Sequence, residues 1–114
     1  MYQYTLDTAF DISSKNAGSE EKLALNPAGD PISNQTDDIT FNNDGTKLFA
    51  ISDNGAMNIH ILSTPYDISD ATLVADDGIN WRTYKEPWGS SNTTMLPQTI
   101  RFNNDGTKMY LTEA

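Results

Sequence analysis

Side chains able to do chemistry are sparse in this sequence. His60 is the single histidine, and it alternates with Ile59 and Ile61, which places it on one face of a strand. Cysteine is absent, so disulfides and thiol chemistry are excluded. Serine and aspartate are plentiful, yet there is no Gly-x-Ser-x-Gly elbow and no motif that assigns His60 to a catalytic triad. No catalytic residue is therefore expected. Asp37 and Asp38 are adjacent carboxylates just ahead of an apolar run. They would suit a hard, oxygen-loving cation such as calcium if several copies converged on one axis, and are otherwise solvated turn residues. Tyr84, Trp88 and Asn92 lie in a stretch, Tyr84 to Thr94, that mixes aromatic rings with amides and hydroxyls. Such a surface can stack on sugars or hold a partner's side chain, although Trp88 could equally pack over the end of a sheet. Trp81 is expected in the core.

The balance of 7 basic against 16 acidic residues gives a formal charge of −9, which leaves no material for a basic patch. Nucleic acid and anionic membranes are therefore not expected partners. No apolar run approaches the ~20 residues that span a bilayer. Met1 to Leu6 lacks the basic and apolar regions of a signal peptide and reads as a strand. At 114 residues and 37% hydrophobic content, one modest domain with a small core is expected.

The elements that must position these residues are set by an internal repeat. Phe41-Asn42-Asn43-Asp44-Gly45-Thr46-Lys47 recurs letter for letter as Phe102-Asn103-Asn104-Asp105-Gly106-Thr107-Lys108. Each copy sits between two short apolar runs, the pattern of a β-hairpin whose glycine supplies a positive φ. Tyr4 to Ser13 likewise matches His60 to Ser69, with Phe10 at the place of Tyr66. The heptamers are 61 residues apart and the second pair of segments 56, so about five residues are expected to be inserted between Trp81 and Gln98.

Four strands per repeat follow. Strand a ends at Phe41 or Phe102, and strand b is Lys47 to Ser52 or Lys108 to Thr112. Strand c is Met57 to Leu62 or Tyr2 to Leu6, and strand d is Glu21 to Leu25 or Gly78 to Thr83. Asp53-Asn54-Gly55 is the turn from b to c. Four antiparallel strands in a unit of this length predict an all-β fold of β-propeller blades.

The motif Phe-x-x-Asp-Gly-x-x-(Leu/Met)-(Phe/Tyr) resembles the inner hairpin of lactonase-like and related propeller repeats. Tyr-x-Leu-x-Thr-x-(Phe/Tyr)-Asp-Ile-Ser resembles the c strand and c–d turn of tandem repeats in marine bacterial and phage proteins. The resemblance implies an extracellular or virion-associated setting. It also implies an alternative activity, a metal-dependent lactonase-like hydrolase with its cation at the ring axis.

In blade letters the chain reads c-d-a-b-c-d-a-b. Residues 1–35 are a half blade c-d, 36–83 a complete blade, 84–97 a long d–a loop, and 98–114 a half blade a-b. Two half blades leave bare edges, which invite pairing with another chain. The expected partner is a second copy, added head to tail until a ring closes, with three copies and six blades favoured. A segment trimmed from a longer tandem-repeat protein would present the same edges. The turns a–b and c–d share one end of each blade. The variable d–a and b–c connections, carrying Tyr84, Trp88, Asn92 and Asn54, share the other, and that end is the expected glycan- or protein-binding face.

Overall fold

A computed structural model describes residues 1–25, 35–52, 57–74 and 97–113. Over the described residues the chain is all-β, with three antiparallel sheets in sequence order. The first pairs β1 (Tyr2–Gln3) with β2 (Glu21–Lys22). The second holds β3 (Thr36–Phe41), β4 (Lys47–Ser52), β5 (Met57–Ile61) and β6 (Thr72–Leu73), in that order. The third pairs β7 (Thr99–Phe102) with β8 (Met109–Thr112). Helix among the described residues is limited to single 3-10 turns at Ile12–Ser14 and Ile68–Asp70.

The alternation of β4 explains how the sheets stack. Side chains along a strand point to opposite faces in turn. Leu48 and Ala50 therefore share one face, where they form a buried cluster with Leu25 and Leu62, packed by Met1, Leu23, Ile39 and Phe41. Ile51 lies on the opposite face with Met57 and Ile100, packed by Phe49, Phe102 and Leu111. One face of the central sheet thus binds the first sheet, and the other binds the third. Leu48, Ile51 and Ile100 are fully buried, each worth roughly 1.5–3 kcal/mol of hydrophobic stabilisation.

Both heptamers fold into the same turn. Gly45 and Gly106 take φ of 73° and 69°. The Asp44 carboxylate accepts from Thr46 N (3.0 Å) and Thr46 Oγ1 (2.5 Å), and Asn42 Oδ1 accepts from Lys47 N (2.8 Å). Asp105, Thr107, Asn103 and Lys108 repeat these bonds. The Thr46 hydroxyl and then its N–H hold the Asp44 carboxyl below the usual carboxylate range, and Thr107 does the same for Asp105.

Strand d departs from expectation. Beyond β5 the fourth strand begins at Thr72, with Ile61 opposite Thr72 and His60 opposite Leu73. The Gly78 to Thr83 segment expected there lies outside the described residues. In the first sheet the Leu6–Lys15 bridge keeps the β5–β6 register, but Tyr2 pairs with Lys22, three residues further along. The extra residues are folded into a turn over Asn16 to Ser19, where Asn16 Oδ1 accepts from Gly18 N (2.9 Å) and Asn16 O from Ser19 Oγ (2.8 Å). Strand c, expected from Tyr2 to Leu6, is accordingly regular only over Tyr2–Gln3.

Candidate functional site

Of the sequence-derived candidates, Asn54, Tyr84, Trp88 and Asn92, together with Trp81, lie outside the described residues. Asp37 and Asp38 are described, and they do different things. A bulge between Thr36 and Asp38 makes Asp37 the extra, exposed residue of β3. Asp38 is turned toward β7, where it accepts from Ile100 N (3.0 Å) and pairs with the Arg101 guanidinium. Partial burial pushes the Asp38 carboxyl up, but the Ile100 N–H and Arg101 outweigh it and hold the group below its ordinary range. Asp38 thus fastens the second sheet to the third. Among the described residues, no group of three His, Asp or Glu side chains could hold a metal. His60 is buried on β5 opposite Leu48, as its alternation with isoleucines implies.

What the structure does gather is unsatisfied apolar surface at the two outer sheets. The central sheet shows what each residue does when its neighbours are present. Met109 is 37% exposed, while Leu48 at the same place in the repeat is 0% exposed. Ile12 is 86% exposed against 1% for Ile68, and Phe10 is 99% exposed against 49% for Tyr66. Tyr2 and Tyr110 are exposed as well. Their counterparts Asn58 and Phe49 are respectively buried and packed against the Phe102 ring at 4.7 Å.

The c–d turn sharpens the contrast. Tyr66 and Phe10 both take a left-handed backbone, φ 62° and 64°, which L residues adopt at a cost. Tyr66 is compensated. Its hydroxyl donates to Asn43 O (2.7 Å), its N–H donates to Gly45 O (2.9 Å), and its ring meets Phe41 at 5.4 Å. A Cβ on Gly45 would lie 2.4 Å from the Tyr66 ring, so only glycine leaves room. Phe10 holds the same strained backbone with its ring in water. Gly106 has the same positive φ, but a Cβ there would meet nothing within 4 Å. The Phe10 backbone is held by its own turn, where Asp11 N donates to Thr8 O (3.1 Å) and Thr8 N to Ser14 Oγ (2.9 Å).

Two further features were not legible in the sequence. Gln3 joins the first sheet to the second, its amide donating to Tyr66 O (2.9 Å) while its oxygen accepts from Ile68 N (2.8 Å). Between the two heptamer turns lies an open cleft of about 340 Å³, floored by Phe49 and Phe102 and rimmed by asparagines. The Asn43 amide reaches across it to Asn104 O. Both features pair residues more than 60 positions apart, which only the stacking of successive sheets brings together.

No protein-family model, curated protein or solved structure matches this chain.

Proposed function

We infer that the chain is a non-enzymatic, self-assembling β-propeller module whose task is structural or binding. The first sheet supplies strands c and d of a blade, the third sheet supplies a and b, and one copy completes the next head to tail. Three copies would close a ring of six blades, within the usual four to eight. The observation that carries this reading is the paired difference in exposure: Leu48 and Ile68 are buried, while Met109 and Ile12 at the same repeat positions are exposed. Bringing Phe10, Ile12, Met109 and Tyr110 to the exposure of their counterparts would gain on the order of 3–6 kcal/mol before the costs of association.

Ligand binding, with a glycan or a protein surface as partner, is assigned in this reading to the d–a and b–c connections that hold Tyr84, Trp88, Asn92 and Asn54. A ring would present that set once per copy, so weak single contacts gain by multivalency. Asp38 serves in this account as a fastener between sheets, and Asp37 would recur once per copy near the ring axis.

Solution mass tests the proposal. Sedimentation equilibrium at micromolar concentration should give three times the 12.6 kDa chain mass. A single-chain mass under those conditions would sink it.

A further inference from the structure

We propose that copies join by strand addition in one defined register, β8 alongside β1 of the next copy, with the Phe10 ring of that copy seated on Gly106. The proposal rests on the assembly reading above and names its contact surface. In the register, Lys108 lies opposite Thr5, Met109 opposite Tyr4, Tyr110 opposite Gln3, Leu111 opposite Tyr2, and Thr112 opposite Met1.

The central sheet supplies the template. There Lys47 lies opposite Ile61, Leu48 opposite His60, Phe49 opposite Ile59, Ala50 opposite Asn58, and Ile51 opposite Met57. Lys47 to Ile51 have their repeat equivalents in Lys108 to Thr112, and Met57 to Ile61 in Met1 to Thr5. Two bonds continue the template past the strands: Leu62 N donates to Thr46 O (2.8 Å) and Tyr66 N to Gly45 O (2.9 Å). Their counterparts join Leu6 N and Phe10 N to Thr107 O and Gly106 O of the neighbouring copy. Among the described residues neither of those N–H groups has an acceptor within its own chain.

Shape and strain agree with the register. The Tyr66 ring rests where a Gly45 side chain would be, and the space over Gly106 is open. Phe10 already holds the left-handed backbone that Tyr66 uses to reach its seat. Phe102, the equivalent of Phe41, lines the same cleft as Gly106 and would be the second wall. On the sheet face, Phe49 packs on Phe102 of the following sheet at 4.7 Å. Tyr110, its equivalent, would pack on Phe41 of the next copy. The partner is a second copy rather than another protein because the docking strand and its seat are the two halves of one repeat.

The test uses disulfide trapping in the full chain, which has no cysteine of its own. Lys108→Cys with Thr5→Cys joins two exposed positions. Their template, Lys47 opposite Ile61, alternates with the hydrogen-bonded pair of Thr46 and Leu62. Such a pair brings Cα atoms to about 4.5 Å, within disulfide reach. Mild oxidation should give reducible covalent oligomers. Lys108→Cys with Asp7→Cys, two residues out of register, should give none. A multimeric native mass with no Lys108–Thr5 trapping, or with equal trapping of the shifted pair, overturns the register but leaves assembly standing. A single-chain native mass overturns both. Gly106→Ala should weaken association by at least about tenfold while the far-UV circular dichroism of dilute chains is kept. Unchanged association would overturn the Phe10 seat.

Discussion

Alanine at Gly45 should cost far more than alanine at Gly106, although both glycines sit in the same seven letters. Both hold a left-handed φ, 73° and 69°. An L residue there costs roughly 1–2 kcal/mol, and this part of the loss is common to the two variants. At Gly45 the new Cβ would also fall 2.4 Å from the Tyr66 ring, which cannot stay in place. Displacing it gives up the hydroxyl bond to Asn43 O, worth about 1 kcal/mol. It also gives up the ring contact with Phe41, worth about 0.5–1.5 kcal/mol. The expected losses are therefore about 3–4 kcal/mol for Gly45→Ala and about 1–2 kcal/mol for Gly106→Ala. Urea unfolding followed by circular dichroism, in solutions dilute enough to keep single chains, should separate the midpoints by about 1–2 M. As concentration rises the gap should narrow if, as proposed, residue 106 then meets Phe10 of another copy. Equal midpoints in dilute solution would refute the reasoning, since Tyr66 would then not be seated against Gly45.

Asp38→Ala removes the acceptor of Ile100 N and the partner of Arg101, and should cost about 1.5–3 kcal/mol in urea unfolding. Asp38→Asn, which can keep the Ile100 bond, should lose clearly less; equal losses would mean that the charge alone matters. Acid should destabilise the fold. Asp11, Asp38, Asp44, Asp67 and Asp105 all titrate below their ordinary values in the folded chain, so the unfolded chain binds protons more readily. Their contribution is complete above the unfolded carboxylate value of about 4 and is lost as pH falls through the folded values. Thermal melts should therefore show Tm dropping below about pH 4, and a rise on acidification would contradict the assignment. Phe10→Tyr adds the hydroxyl that Tyr66 donates to Asn43 O, here directed to Asn104 O of a neighbouring copy. Association measured by sedimentation should tighten severalfold; weakening would argue against the seat.

The sequence was most readable where burial is two-sided and turn chemistry is strict. Strand b, expected at Lys47 to Ser52, has those bounds in the structure, where it contributes buried apolar residues to both faces. The heptamer turns were readable because Asn, Asp, Gly and Thr each fill a fixed bond. Strand d was not readable. Glu21 and Lys22 are exposed, so no alternation marks the strand, and the Asn16 to Ser19 turn shifts its register by three residues relative to the other copy. Asp38 was singled out for its charge. What the sequence concealed was the bulge at Asp37, which re-aims that carboxylate at Ile100 and Arg101. Phe10 was identified only as the equivalent of Tyr66. Its exposure has no signal in the sequence, because the residue type suits both a seated ring and a free one.

If copies join as proposed, the stacking of the three sheets bears on whether they form a closed ring or an open array. Ile39 and Phe41 face the first sheet, and their equivalents Ile100 and Phe102 face the central sheet. Met1 faces the central sheet and its equivalent Met57 faces the third. Each sheet therefore turns one kind of face backward and another kind forward, and the two faces do not complement themselves. In the proposed assembly the forward face of one copy therefore meets the backward face of the next, which is a head-to-tail contact. Every open array then keeps one bare β1 edge with an exposed Phe10 and one bare β8 edge with an uncovered Gly106. Closure removes both edges with no additional ordering of the chain. The gain from that last contact is intramolecular, and this is why a ring of fixed size should outcompete longer arrays at low concentration.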